Sequence, residues 1–127
     1  MIEVEKRDGS IVGFDSSKIF SAISKAFDSL HMEKDDAIIN LLVLRATADF
    51  QTKIKDNRIS VEMIQDSVEK TLSESGYYPV AKTYILYRKQ RENVRKIQST
   101  ANEYIHLVNS YLHDNISLED ENSMATY

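Results

Sequence analysis

The chain has 127 residues, 42% of them hydrophobic and 28% charged, a length and balance suited to one globular domain with a real core. It contains no cysteine, which excludes a disulfide framework, a thiolate zinc site and a catalytic thiol. No apolar run approaches the roughly 20 residues needed to span a bilayer. Met1 opens a strand-like segment where a signal peptide would need a basic and then an apolar stretch, so the expected compartment is the cytoplasm. The net charge of −4 is unevenly spread. All 16 Lys and Arg fall between Lys6 and Lys96, whereas Glu103, Asp114, Glu119, Asp120 and Glu121 follow them, leaving the first part at +1 and the end at −5. An acidic end cannot track a phosphate backbone, so any anion chemistry belongs to the first part.

From Met1 to Val12 the pattern alternates loosely, with Ile2 and Val4 on one side of Asp8-Gly9 and Ile11 and Val12 on the other, which predicts two short strands around a tight turn. Asp15 or Ser16 can cap a helix whose apolar residues Ile19, Ala22, Ile23, Ala26, Phe27 and Leu30 recur at steps of three and four. Asp35 and Asp36 favour a second helix start, and Ile38 to Phe50 is apolar enough to predict the most buried helix of the domain. A turn at Asp56-Asn57 and a brief strand at Ile59 lead to Ser60, which can cap a third helix with Val61, Ile64, Val68 and Leu72 on one face and Gly76 as its stop. Pro79 suits the first turn of a fourth helix, expected to run to about Gln98. A fifth amphipathic segment is expected from Ala101, Tyr104, Ile105, Val108, Tyr111 and Leu112, and the pattern is lost from His113 onward. Periodicity thus predicts a small sheet over a helical bundle.

Several charged and aromatic features admit two readings. Lys6 and Arg7 at the hairpin turn, with Lys18 on the following helix, could converge on a phosphate, or they could simply be solvated turn charges. In either case, exposed turn charges are expected to support little folding energy. Arg88, Lys89, Arg91, Arg95 and Lys96 could form a nucleic-acid stripe or a solvated helix end. Tyr77, Tyr78, Tyr84 and Tyr87 could stack on a base or pack in the core with a wet hydroxyl. His31, His106 and His113 are scattered singly, so no metal site is assigned. Neither a GxxxxGK[ST] loop nor a GxGxxG is present, and no catalytic carboxylate pair or Ser/His/Asp arrangement can be argued from spacing.

The segments "VEKRDGSIVGFDSSKIFSAISKAF", "ISVEMIQDSVEKTL" and "YYPVAKTYILYRKQRENVR" resemble, in that order, the three signature stretches of the ATP-cone, a family of regulatory nucleotide-binding domains found on ribonucleotide reductases and on the zinc-ribbon repressor of their genes. The resemblance implies an α+β, mainly helical fold: a four-helix bundle capped by a small three-stranded β-sheet, here followed by an extra C-terminal helix. It divides the chain into a cone over residues 1–95, a linker helix over 96–113, and an acidic tail or start of a truncated catalytic domain over 114–127. It implies that Val4, Lys6 and Arg7 sit in a lid over base and phosphates, that Lys18 is a second phosphate ligand, and that Asp15 lies near the ribose or base. Val61 and Gln65 fall at nucleotide-contacting positions, Gln65 standing where some members carry histidine. Lys82, Arg88 and Lys89 are implied phosphate contacts, whereas Asp8 and Gly9 are read as shaping the turn.

The implied ligand is ATP or dATP, with Mg2+, acting as an effector that is not consumed. The chain itself is then not an enzyme. The implied partners are adenine nucleotides and a reductase catalytic domain, with a homo-oligomer through the C-terminal helix also envisaged and neither membrane nor nucleic acid expected. A zinc ribbon would need four cysteines, which argues against the repressor. The ending "NSYLHDNISLEDENSMATY" resembles the entry to the catalytic part of anaerobic ribonucleoside-triphosphate reductases. Two other functions stay open on the sequence: a stand-alone or repressor-like ATP/dATP sensor, and a nucleic-acid-binding bundle, which the acidic end disfavours.

Overall fold

A computed structural model describes residues 1–112, with side chains through Asn109. The expected acidic tail or catalytic entry, the last residue of the linker helix at His113, and the side chains of Tyr111 and Leu112 lie outside the described residues. The fold is mainly helical, with a small three-stranded sheet, as expected.

Strand β1 (Glu3–Glu5) and strand β2 (Ile11–Gly13) pair antiparallel, with Val4 opposite Val12. Their turn closes because Lys6 N–H donates to Ser10 O at 2.8 Å and Gly9 N–H to Lys6 O at 3.0 Å, while Gly9 takes φ +87°, a conformation that costs glycine little. Asp8 braces the turn by accepting from both the amide (2.9 Å) and the hydroxyl (2.6 Å) of Ser10. Helix α1 (Ser16–Ser29) starts where the Asp15 carboxylate accepts from Ser17 N–H, which settles the cap on Asp15. Helix α2 (Asp36–Phe50) is capped in the same way by Asp35.

A single 3-10 turn (Gln51–Lys53) ends α2, and the chain then reverses at Asp56-Asn57, both with positive φ (52° and 62°). Lys55 and Arg58 exchange N–H···O bonds of 3.0 Å each way across this turn, the geometry that a two-residue reversal with two positive φ values provides. Strand β3 (Arg58–Ser60) pairs parallel to β1, so β1 is central in the order β2-β1-β3. Ser60 closes β3 and caps helix α3 (Val61–Glu74), its hydroxyl accepting from Met63 N–H. The other end of α3 is a Schellman stop: Tyr77 N–H reaches Leu72 O and Gly76 N–H reaches Ser73 O, with Gly76 at φ +85°.

Helix α4 (Tyr78–Leu112) follows, with Pro79 in its first turn. Here the expectation of two helices is corrected. The fifth amphipathic segment is the second half of one continuous helix, because no glycine or proline interrupts Val80 to Leu112 and a change of charge composition does not break backbone hydrogen bonds. By its contacts the chain divides into a first unit, Met1–Ile85, and a second that begins at Leu86.

In the first unit Phe50, Ile19, Ile23, Ile39, Leu42, Ile64 and Leu72 are fully buried, and Val4, Ile59 and Val61 join the same core from the sheet side. Phe14 meets Phe50 edge to face at 5.5 Å and Tyr77 meets Phe27 at 5.6 Å. Tyr84 is buried in the core and Tyr77 packs against it, whereas Tyr78 and Tyr87 are exposed. Helix α2 packs chiefly on α3. It buries Ile39, Leu42, Val43, Ala46 and Phe50 but turns Ile38, Leu41 and Leu44 outward, so the expectation that it is the most buried helix is corrected: α3 buries more of its residues.

Candidate nucleotide site

The hairpin turn does not stand free of the bundle. The Arg7 guanidinium donates from Nε to Glu62 Oε1 at 2.8 Å and from Nη2 to Gln65 Oε1 at 2.6 Å, joining the β1–β2 turn to the first turns of α3. The Arg7 side chain keeps only 17% of its exposure and Gln65 only 5%, whereas the Glu62 side chain is 53% exposed. Arg7 is therefore not the solvated turn charge that composition suggests. Its two charge-assisted bonds predict a larger contribution to folding than a solvated turn charge would make.

The other residues singled out from the sequence fall into three groups. Val4 and Val61 are buried, Val4 at the sheet centre between Val12 and Ile59 and Val61 as the first residue of α3. Lys6 lies in the hairpin turn, and Asp15 and Lys18 lie where β2 leads into α1. Hydrogen bonds from the Ser17 hydroxyl and amide hold the Asp15 carboxyl below its usual range, helped by the nearby Lys18 charge. Asp8 is likewise held low, first by the Ser10 hydroxyl and amide and then by Lys6. Lys18 N–H itself donates to Asp15 O at 3.2 Å, a first-turn contact that continues the cap. Lys82 is exposed on α4 within the first unit. Arg88 and Lys89 belong to the second unit, Arg88 half-buried and Lys89 exposed. Of the expected set, the structure brings Arg7 and Gln65 into direct contact.

Sequence reasoning missed Glu62. An acid in the first turn of a helix is ordinary, because it complements the helix dipole, and nothing in its spacing points to a partner 55 residues away. It also missed a polar cluster behind α3. Lys70 Nζ donates to Asp49 Oδ1 at 2.9 Å and Lys53 Nζ to the buried Ser67 Oγ at 3.1 Å, tying α2, the 3-10 turn and α3 together. The Lys70 bond first, then Ser67, hold the Asp49 carboxyl below the usual range, and Asp49 in turn raises Lys70.

Among the described residues no three His, Asp or Glu side chains gather as metal ligands, and no helix is long and apolar enough to cross a membrane. What remains is a mixed sheet riding on helices, with its cation-bearing turn seated on the start of α3. That architecture is the one shared by a known class of regulatory domain.

Residues 2–93 match the family model of the ATP cone domain, and the chain belongs to that family. It is 36% identical over 120 residues to a ribonucleoside-diphosphate reductase subunit alpha of Chlamydia pneumoniae, covering 88% of this chain and 12% of that protein. It is 40% identical over 103 residues to a vitamin B12-dependent ribonucleoside-diphosphate reductase of Thermoplasma acidophilum, covering 74% and 12%. An anaerobic ribonucleoside-triphosphate reductase of Escherichia coli is 31% identical over 102 residues, covering 80% and 14%. The chain thus spans about an eighth of the length of these curated relatives.

Proposed function

We propose that this chain is an allosteric regulatory domain that binds ATP or dATP and sets the activity of an attached ribonucleotide reductase in the cytoplasm, ATP activating and dATP inhibiting, with no catalysis of its own. The observation that carries this reading is the seating of Arg7 on Gln65. The cation of the first signature segment and the amide of the second, 58 residues apart, meet at one place.

An effector placed there would have the guanidinium fork of Arg7 and the ammonium groups of Lys6 and Lys18 for its phosphates, and the family resemblance adds Lys82, Arg88 and Lys89 as phosphate contacts. Val4, Asp15, Val61 and Gln65 would contact base and sugar. Mg2+ would travel with the triphosphate, whose oxygens supply the hard ligands that it prefers. The wording of the tail supports an anaerobic reductase as the attached body, whereas the higher identities over the cone belong to diphosphate and B12-dependent enzymes. In each kind the domain would act in the same way, since an effector shifts activity only through its differential affinity for two states.

Calorimetric titration of the 127-residue chain with ATP, dATP and GTP tests the proposal. Saturable binding of the adenine nucleotides is expected, weakened by about 1.5–3 kcal/mol for each charge-assisted hydrogen bond to phosphate that Lys6→Ala or Lys18→Ala removes. Negligible heats for all three nucleotides would refute it.

A further inference from the structure

We propose that Glu62 is an internal stand-in for a phosphate: it holds the Arg7 guanidinium until an anionic effector displaces it, and thereby sets how tightly the effector binds. This rests on the nucleotide-binding reading given above.

Carboxylate and phosphate oxygens satisfy a guanidinium in the same way, and Arg7 already spends Nε on the Glu62 carboxylate at 2.8 Å. Its other contact, Gln65, is neutral and buried, so it can stay in place and keep the guanidinium plane fixed while the anion is exchanged. Glu62 differs from Gln65 on both counts. It is charged, and its side chain is half exposed, so an anion arriving from solvent can compete with it for Arg7. A phosphate sharing Arg7 with Glu62 would place two anions on one fork, and the repulsion is relieved only if the carboxylate withdraws. Withdrawal is cheap, because Glu62 lies in the first turn of α3, where the helix dipole favours negative charge whether or not Arg7 is near. Effector binding is therefore an exchange of anions at Arg7, and the free energy of the Arg7–Glu62 pair is subtracted from the effector's affinity.

The test is a double-mutant cycle read by calorimetry with ATP on the 127-residue chain. Glu62→Gln keeps the shape and an acceptor for Nε but removes the charge. It should bind ATP about two- to fivefold more tightly than wild type, the size expected when a partly exposed charge pair stops competing. In an Arg7→Ala background the same change should alter affinity by less than about twofold, because the carboxylate no longer has the guanidinium to hold. Circular dichroism of each variant checks the fold, and Glu62→Ser serves as a second neutral replacement with the same expected direction.

Unchanged or weaker binding by Glu62→Gln, with Arg7→Ala still weaker than wild type, would overturn the proposal while leaving the nucleotide reading intact, since Glu62 would then be aligning Arg7 for its ligand. An equal gain in both backgrounds would also overturn it, reducing Glu62 to a distant negative charge. Absence of ATP binding in wild type and Glu62→Gln alike would refute the nucleotide reading itself, and this inference with it.

Discussion

Replacing Arg7 with alanine should destabilise the ligand-free domain, even though the residue sits in a hairpin turn. The bond to Gln65 Oε1 is charge-assisted and largely removed from water, a class worth roughly 1.5–3 kcal/mol. The pair with Glu62 is half exposed on the carboxylate side, so screening reduces it to about 0.2–1 kcal/mol. Alanine also abandons the buried stem of the arginine. A destabilisation of about 2–3 kcal/mol at neutral pH follows, against less than about 0.5 kcal/mol for Lys6→Ala if that residue behaves as an ordinary turn charge. Urea denaturation of the three proteins, with the slope held common, measures both numbers. Arg7→Lys is the informative intermediate: a lysine keeps the charge but cannot offer a fork, so it should recover only part of the stability. If Arg7→Ala unfolds within about 0.5 kcal/mol of wild type, the range of an ordinary surface substitution, the bond to α3 contributes nothing and the hairpin is solvated after all.

Two further outcomes follow from the geometry. Asp49→Asn should cost about 0.3–1 kcal/mol at pH 7 by removing the charge from the Lys70 bond. Because the folded-state pKa of Asp49 is depressed, the stability that it contributes is present above the unfolded carboxylate value near 3.9 and is lost as pH falls through the folded value; urea melts at pH 7 and pH 3 should therefore show the gap between wild type and variant shrinking at the lower pH, and an equal gap at both would contradict this assignment. Gly9→Ala meets no atom within 4 Å but must hold φ near +87°, so the cost is purely conformational, about 1–2 kcal/mol, and thermal melting together with faster amide exchange across the β1–β2 turn would register it; unchanged exchange there would mean that the turn adopts another conformation.

The parts of the fold that sequence reveals are those with local causes. Asp15, Ser60, Gly76 and Pro79 mark helix ends because each acts on backbone groups within a few residues of itself, and Asp56-Asn57 marks a reversal because both residues tolerate positive φ. Two kinds of feature are not legible in this way. The end expected for the fourth helix near Gln98 rests on a change in composition, and α4 runs through it because helix termination needs a breaker or a cap, which that stretch lacks. The outward turn of Ile38, Leu41 and Leu44 on α2 is equally hidden, since an all-apolar run does not say which of its sides the rest of the chain covers. At the candidate site, the resemblance names Arg7 and Gln65 separately, but their contact, and the presence of Glu62 beside it, depends on the register of three strands and on where α3 begins.

That register gives the hairpin a specific mechanical relation to α3. Because β1 is the central strand, the segment leading to the turn is bonded on one side to β2 and on the other to β3. Ser60 is both the last residue of β3 and the cap of α3, so no loop intervenes between sheet and helix. Val61 then anchors the start of the helix in the core, and Gln65, one turn later, receives Arg7. The hairpin thus holds α3 at two points, through backbone pairing at its base and through a guanidinium at its tip. Only the second is held by side chains that another anion can replace. A ligand that claims Arg7 need not disturb the sheet in order to change how the turn sits on α3, and under the regulatory reading proposed above that contact would be the element whose arrangement the effector biases.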